Sequence, residues 1–250
     1  SCIDYFKCVN DFVIGNRIHT GIFMRKIFDH QQVELTEMQA VTTEEGRKYH
    51  TPEGIDLPSI TTCLSILSRD GIAAWRKRVG EEEANRISRV ASTRGTKVHE
   101  IIEKYIDNKE DYSDGYTPDI IQSFNDVRDI LDNRIGTVFA QEAPLYSNHL
   151  GVAGRVDCVA EFDDALSIID FKTSRKKKFP SMIKQYFMQE SAYSIMWEER
   201  TGMPITQLVT IIAVDNHEPQ VFIEHRDNWV RPLKETIAQW NEENSTVQLL

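Results

Sequence analysis

Asp157, Asp170 and Lys172 are placed where residue type and spacing call for chemistry. They lie in GRVDCVAEFDDALSIIDFKTS, residues 154–174, which reads as two strands over 152–162 and 165–173 with Asp163 and Asp164 at the tip. Side chains two apart on a strand share a face, so Asp170 and Lys172 stand side by side in an otherwise apolar strand. A hairpin closed by a four-residue loop from Phe162 to Ala165 sets Val159 opposite Ile168, Asp157 opposite Asp170, and Arg155 opposite Lys172. Opposed β-carbons lie about 4.5–5.5 Å apart, and like charges so placed destabilise a sheet. A divalent cation would offset the facing carboxylates and a phosphate the facing cations, as in a metal-dependent phosphodiester-cleaving site. The alternative is an exposed strand pair with solvated charges and a diagonal salt bridge.

Other residues can join this pair. Glu142 lies in the preceding strand, 137–145, after Val138 and Ala140 on the same alternating face, and either adds a carboxylate or is a rim charge. His99 sits beside the apolar stripe Val98, Ile101, Ile102, Tyr105 and Ile106 of a helix, as a cation ligand or as a hydrogen-bonded structural residue. Gln189 and Tyr193 are i and i+4 neighbours on a helix face shared with Tyr186 and Trp197, where Gln189 is the polar exception.

The elements that position these residues change character along the chain. After a turn-rich stretch over 52–58, helical patterns cover 59–67 and the GIAAWRKRVG segment, then 81–90, 96–106 and 118–134, with a polar loop over 107–117. Strands follow over 137–145, 152–162 and 165–173, then a helix over 181–200 ended by Gly202 and Pro204. Strands over 208–214 and 221–224 precede a last helix carrying Val230, Leu233, Ile237 and Trp240. The expected class is α/β (α+β), a central mixed β-sheet flanked by helices with a helical N-terminal half. Residues 1–56 are expected to be an N-terminal extension and 57–250 a single domain. Met24, opening MRKIFDH, is the expected natural start, with 1–23 upstream of it.

Bulk properties narrow the class. Of 250 residues, 40% are hydrophobic and 27% charged, ordinary for a globular domain, and no run of about 18 apolar residues is present to span a membrane. A net charge of −10 means that any nucleic-acid contact comes from a local patch. Cysteines at 2, 8, 63 and 158 form no CxxC pair, which excludes zinc-ribbon and disulfide-framework spacings. The first 23 residues show no secretory or mitochondrial signal pattern, so the expected setting is the cytoplasm of a bacterium or phage-infected cell rather than the mitochondrial matrix.

Taken in order, Glu142, GRVD with Asp157, IIDFK with Asp170 and Lys172, and QESAY with Gln189 and Tyr193 resemble the motifs of the PD-(D/E)XK nuclease superfamily. RGTKVHEIIEKYI, carrying His99, together with the QxxxY pattern, resembles its RecB-type branch. LPSITTCLS, AAWRKRVG and the residue run after Asp157 narrow the likeness to the mitochondrial genome maintenance exonucleases and their phage-encoded relatives, over roughly residues 57–200. Relatives with a four-cysteine iron–sulfur cluster carry cysteines near the C-terminus. Here none follows Cys158, so no such cluster is expected.

The resemblance implies a Mg²⁺- or Mn²⁺-dependent exonuclease, with one or two ions, acting on single-stranded DNA threaded through a helical arch, with replication or recombination proteins as further partners. It implies Asp157 and Asp170 as central metal ligands, with the Phe171 carbonyl, His99 and Glu142 completing the shell directly or through water. Lys172 would orient or help deprotonate the attacking water and stabilise phosphate charge, while Gln189 and Tyr193 would orient the site or contact nucleotide. Trp75 would stack a base, and Arg76, Arg94, Lys97, Arg155, Thr173, Ser174, Arg175 and Lys176 would contact DNA, as would the neighbouring cations Lys77, Arg78, Lys177 and Lys178. A duplex-end exonuclease, a structure-selective endonuclease and a catalytically silent single-strand-binding module are the alternatives.

Overall fold

A computed structural model describes residues 25–247, with side chains described to residue 245. The expected start at Met24 and the stretch 1–23 before it lie outside the described residues. Three short strands, β1 (Gln39–Thr43), β2 (Gly46–His50) and β3 (Asp56–Pro58), form a small antiparallel sheet. A second sheet runs in the order β4 (Ile135–Ser147), β5 (Val152–Phe162), β6 (Ala165–Ser174), β7 (Gln207–Val214) and β8 (Gln220–His225). β6 and β7 are parallel and the other neighbours antiparallel, so the sheet is mixed. A parallel pair needs a crossover, and helix α5 (Lys184–Thr201) supplies it.

The β5–β6 hairpin turns on Asp163 and Asp164, with φ of 50° and 63°. Both central residues of a type I′ turn need positive φ, and Asp tolerates it better than most residues. Phe162 therefore pairs with Ala165 and Val159 with Ile168. Side chains then alternate between two buried faces, which is why both strands are apolar almost throughout.

Helices cover both faces. On one, α3 (Glu81–Ile106) and α4 (Pro118–Arg134) bring Val98, Ile101, Tyr105, Phe124 and Leu131 onto Cys158, Ala160, Ile169 and Phe171. On the other, α5 sets Met188, Ala192, Met196 and Trp197 on Val159, Ile168 and Leu208. Residues from α1 (Ile60–Leu64) and α6 (Asp227–Val247) complete that layer. Helix α2 (Arg69–Val79) buries none of its residues and the first half of α3 buries only Ala84, so this helical pair adds little to the core.

Two expectations change. Where the sequence suggested separate helices over 81–90 and 96–106, α3 runs unbroken for 26 residues, because Gly95 alone costs only about 1 kcal/mol against Ala and no proline intervenes. The boundary at residue 56 falls inside β3, since Met38, Tyr49 and Leu57 pack on Tyr146 and Ala153 of the larger sheet. The chain before β1 also bonds to β4, with Gln31 N–H donating to the Val138 carbonyl at 2.8 Å and Val33 N–H to Phe139 at 3.0 Å. This protects an edge that would otherwise invite pairing. Among the described residues no helix is long and apolar enough to cross a membrane.

Gly154 fixes how α5 approaches β5. A β-carbon there would lie 2.7 Å from Cε1 and 3.0 Å from Oη of Tyr193, whose ring is buried. The expected outcome for Gly154→Ala is destabilisation by about 1–3 kcal/mol, read in thermal unfolding as a loss of about 2–4 °C per kcal/mol. An unchanged melting temperature would contradict the close approach.

Candidate active site

The β4–β5 ladder pairs Gln141 with Cys158 and Ala143 with Val156, leaving Glu142 and Asp157 between them. Glu142 has φ 45°, a left-handed conformation that costs a non-glycine residue of order 1–3 kcal/mol and is held only by its surroundings. The Arg155 guanidinium donates to the Glu142 carbonyl and also bonds Glu37 Oε2 at 3.2 Å. Arg155 was expected opposite Lys172, gripping DNA. The β5–β6 ladder ends before it reaches Arg155, which on its other side pairs in register with Pro144 and fastens the strained residue.

The β5–β6 ladder stops at Cys158 and Ile169, one step short of an Asp157–Asp170 pair. Two buried carboxylates set face to face would repel, and Asp157 instead accepts the Phe171 N–H on Oδ2 at 2.9 Å. The expected cross-strand carboxylate pair is thus replaced by two carboxylates at the frayed end of the ladder.

His99 reaches this end from α3. Its Nε2 lies 2.6 Å from the Phe171 carbonyl, which can only accept, so Nε2 carries the proton and Nδ1 presents a lone pair. Nδ1 is 3.6 Å from Asp157 Oδ2. One ligand atom each from His99, Glu142 and Asp157 lie within 4.8 Å of one another. Such a second-nitrogen bond fixes ring orientation and tautomer as it does in metal-ligating histidines. The Phe171 carbonyl, expected on the ion, accepts the His99 N–H on one of its two lone pairs.

Asp170 stands outside that trio. It is 1% exposed and its carboxylate forms an ion pair with Lys172, whose Nζ lies 5.2 Å from the centre of the Tyr186 ring. Burial pulls the Lys172 ammonium down, but Asp170 and then Asp157 more than offset this, so its affinity for the proton rises. Burial also pushes Asp170 up to about 6 against the pull of Lys172. Glu142 is pushed up to about 7, by burial first and the charge of Asp157 second. Each negative charge here raises the free energy of the next.

Sequence patterning overlooked one residue. Glu190 on α5 is 0% exposed. Its Oε1 accepts the Thr210 hydroxyl, and its Oε2 has no partner among the described residues. Thr210 is the register neighbour of Asp170. Burial, then the charge of Asp170, holds the Glu190 carboxyl well above the usual range. The available signal was a Glu within an apolar helix face. Beside it, Gln189 Nε2 donates to Tyr193 Oη at 3.1 Å, bracing α5 where it meets Gly154.

The expected DNA contacts divide into engaged and free groups. Arg76 is paired with Glu81 and Asn85, Arg94 with Asp215 and Ser123, and Lys97 with Glu100, so none of these three offers an uncommitted charge. Thr173 and Ser174 line a cavity of about 390 Å³ with Arg94, Arg175 and Asp215. Trp75 is half-buried. Arg175, Lys176 and Lys177 are exposed, and nothing among the described residues pairs with their side chains.

No protein-family model and no curated protein matches the chain. Among solved structures it is similar to a candidate exonuclease from Eubacterium rectale, at 14% identity over 62% of this chain and 68% of the other, with a TM-score of 0.38. It is also similar to the protein named SSO0001, at 18% identity over 57% and 74% of the two chains, with a TM-score of 0.31. Likenesses this distant carry no argument about the site.

Glu142 and Asp170 both bind protons more tightly folded than unfolded. The stability they contribute is therefore fully present below about pH 4, the range of free carboxyls, and is lost as pH rises through about 6 to 7. In chelator-treated protein the melting temperature is expected to fall across that window, and Glu142→Gln is expected to flatten part of the slope. A wild-type curve that rises over the same window would contradict the crowding of carboxylates.

Proposed function

We propose that this chain is a divalent-cation-dependent nuclease of PD-(D/E)XK type, RecB-type branch, that degrades single-stranded DNA from free ends. The observation that carries the reading is the juxtaposition of His99, Glu142 and Asp157 with the Asp170–Lys172 ion pair. Two carboxylates and an imidazole within 4.8 Å suit Mg²⁺ or, given the nitrogen donor, Mn²⁺. Burial and, after it, the charge of Asp157 lift Glu142, and a cation would relieve the second of these. A bound ion would supply Lewis-acid stabilisation of the phosphate and a more acidic water.

The remaining chemistry belongs to the side chains. Lys172 stays protonated beside Asp170 and offers its ammonium to a phosphate oxygen or to the attacking water. Asp170 fixes the ammonium and would join the ion's shell. His99 holds the Phe171 carbonyl and aims Nδ1 at Asp157, while Arg155 keeps Glu142 in its strained conformation. Exposed Arg175, Lys176 and Lys177 meet the strand's phosphates, and Trp75 a base. Processing of single strands in replication, repair or recombination is the corresponding role.

The test is digestion of an end-labelled linear single strand and of a circular one, with Mg²⁺ or Mn²⁺. Wild-type protein is expected to consume the linear strand and leave the circle intact. Lys172→Ala is expected to lose about 10²–10³-fold in rate, the scale for removing one preorganised transition-state donor. Cleavage of the circle would replace the end-dependent reading with an endonuclease. Tight binding without cleavage under either ion would leave a silent binding module.

A further inference from the structure

The segment between β6 and α5 joins the strand bearing Asp170 and Lys172 to the helix bearing Gln189 and Tyr193, and it presents apolar side chains to water. Phe179 is 67% and Met182 57% exposed. The segment is nevertheless tied down. Gln220 clamps the Lys178 backbone, accepting its N–H at 2.7 Å and donating to its carbonyl at 2.9 Å. Ile183 is buried with Phe187, Ile212 and Val214, and Ser174 Oγ donates to the Lys176 carbonyl at 2.6 Å. Between these anchors a single 3₁₀ turn, Pro180–Met182, is closed by Met182 N–H donating to the Phe179 carbonyl at 2.9 Å. A phenyl and a thioether three residues apart are thus held outward by a braced turn, next to three exposed cations with no partner among the described residues.

We propose that Phe179 and Met182 form an apolar platform on which a base of a bound single strand stacks while Arg175, Lys176 and Lys177 contact its phosphates. The inference deepens the nuclease reading and rests on it for the choice of nucleic acid. Charge decides the occupant, since a platform flanked by free cations suits a polyanion that carries flat apolar groups. Every base has a π-face, so such a platform serves any sequence. The platform follows β6, the strand that carries Lys172, in the chain.

The test separates base from phosphate. Binding of a fluorescent single-stranded oligonucleotide, and of the same length of abasic strand, is measured by anisotropy in EDTA on the full chain. Wild type is expected to prefer the base-bearing strand by about tenfold, the scale of one stacked base. Phe179→Ala is expected to remove that preference and leave abasic binding unchanged, while Phe179→Trp restores it. Lys177→Ala is expected to weaken both strands equally and lower the salt slope by about one. An exposed Phe179 makes misfolding of the variant an unsuitable explanation, and its unchanged melting temperature verifies this. Equal affinities for wild type and Phe179→Ala, or no binding by wild type, would overturn the proposal. So would a Phe179-dependent attachment to phosphatidylserine vesicles with strand affinity unaltered, which would make the turn a membrane contact. Cleavage with no Phe179 effect would sink the platform alone, whereas Phe179-dependent binding without cleavage would sink the nuclease reading alone.

Discussion

Removing a carboxylate from water costs several kcal/mol even after relaxation, and this fold draws Glu142, Asp157, Asp170 and Glu190 into one neighbourhood. Each is accommodated differently. Asp170 has the Lys172 ammonium, Asp157 has the Phe171 N–H, and Glu190 has the Thr210 hydroxyl. Glu142 has no comparable partner and holds its proton up to about 7. Lys172 supplies one positive charge at a place with several latent negative ones, and protons held by Glu142 and Asp170 lessen their repulsion.

The scaffold departs from regular pairing wherever it serves these groups. Regular antiparallel pairing would keep Glu142 in the extended region. Its φ of 45° instead turns the carboxylate toward Asp157 and His99, and Arg155 holds the carbonyl left behind. The β5–β6 ladder ends at Cys158 and Ile169, freeing the Phe171 N–H for a side chain. The absent side chain of Gly154 lets Tyr193 close over β5. Backbone irregularities in three adjacent strands are thus what distinguish a site from a plain sandwich of sheet and helices.

Much of this was legible because it is local. The 152–162 and 165–174 strands follow from their apolar runs and the two-residue Asp turn, and α4 from its stripe after Pro118. What escaped has physical reasons. β1 and β2 expose most of their residues and so carry no hydrophobic alternation, and the lone Gly95 was read as part of a break between two helices where α3 runs on. The pairing of Arg94 with Asp215 spans 121 residues, beyond any local pattern. Lys97 and Glu100 stand three apart on a helix, so their ion pair was open to a local reading, yet Lys97 was assigned to DNA. The position of Arg155 in β5 was clear, but its bond to Glu142 depends on a backbone kink that no side-chain pattern announces.

The most direct measurement is calorimetric titration of Mn²⁺ into the chelator-treated protein near pH 7, in two buffers of different ionisation enthalpy. The account requires a bound ion with proton release, because Glu142 must give up a proton held to about 7, and it requires loss of that binding in Asp157→Asn. Binding that is unchanged in Asp157→Asn, or no binding by the wild-type protein, would contradict it.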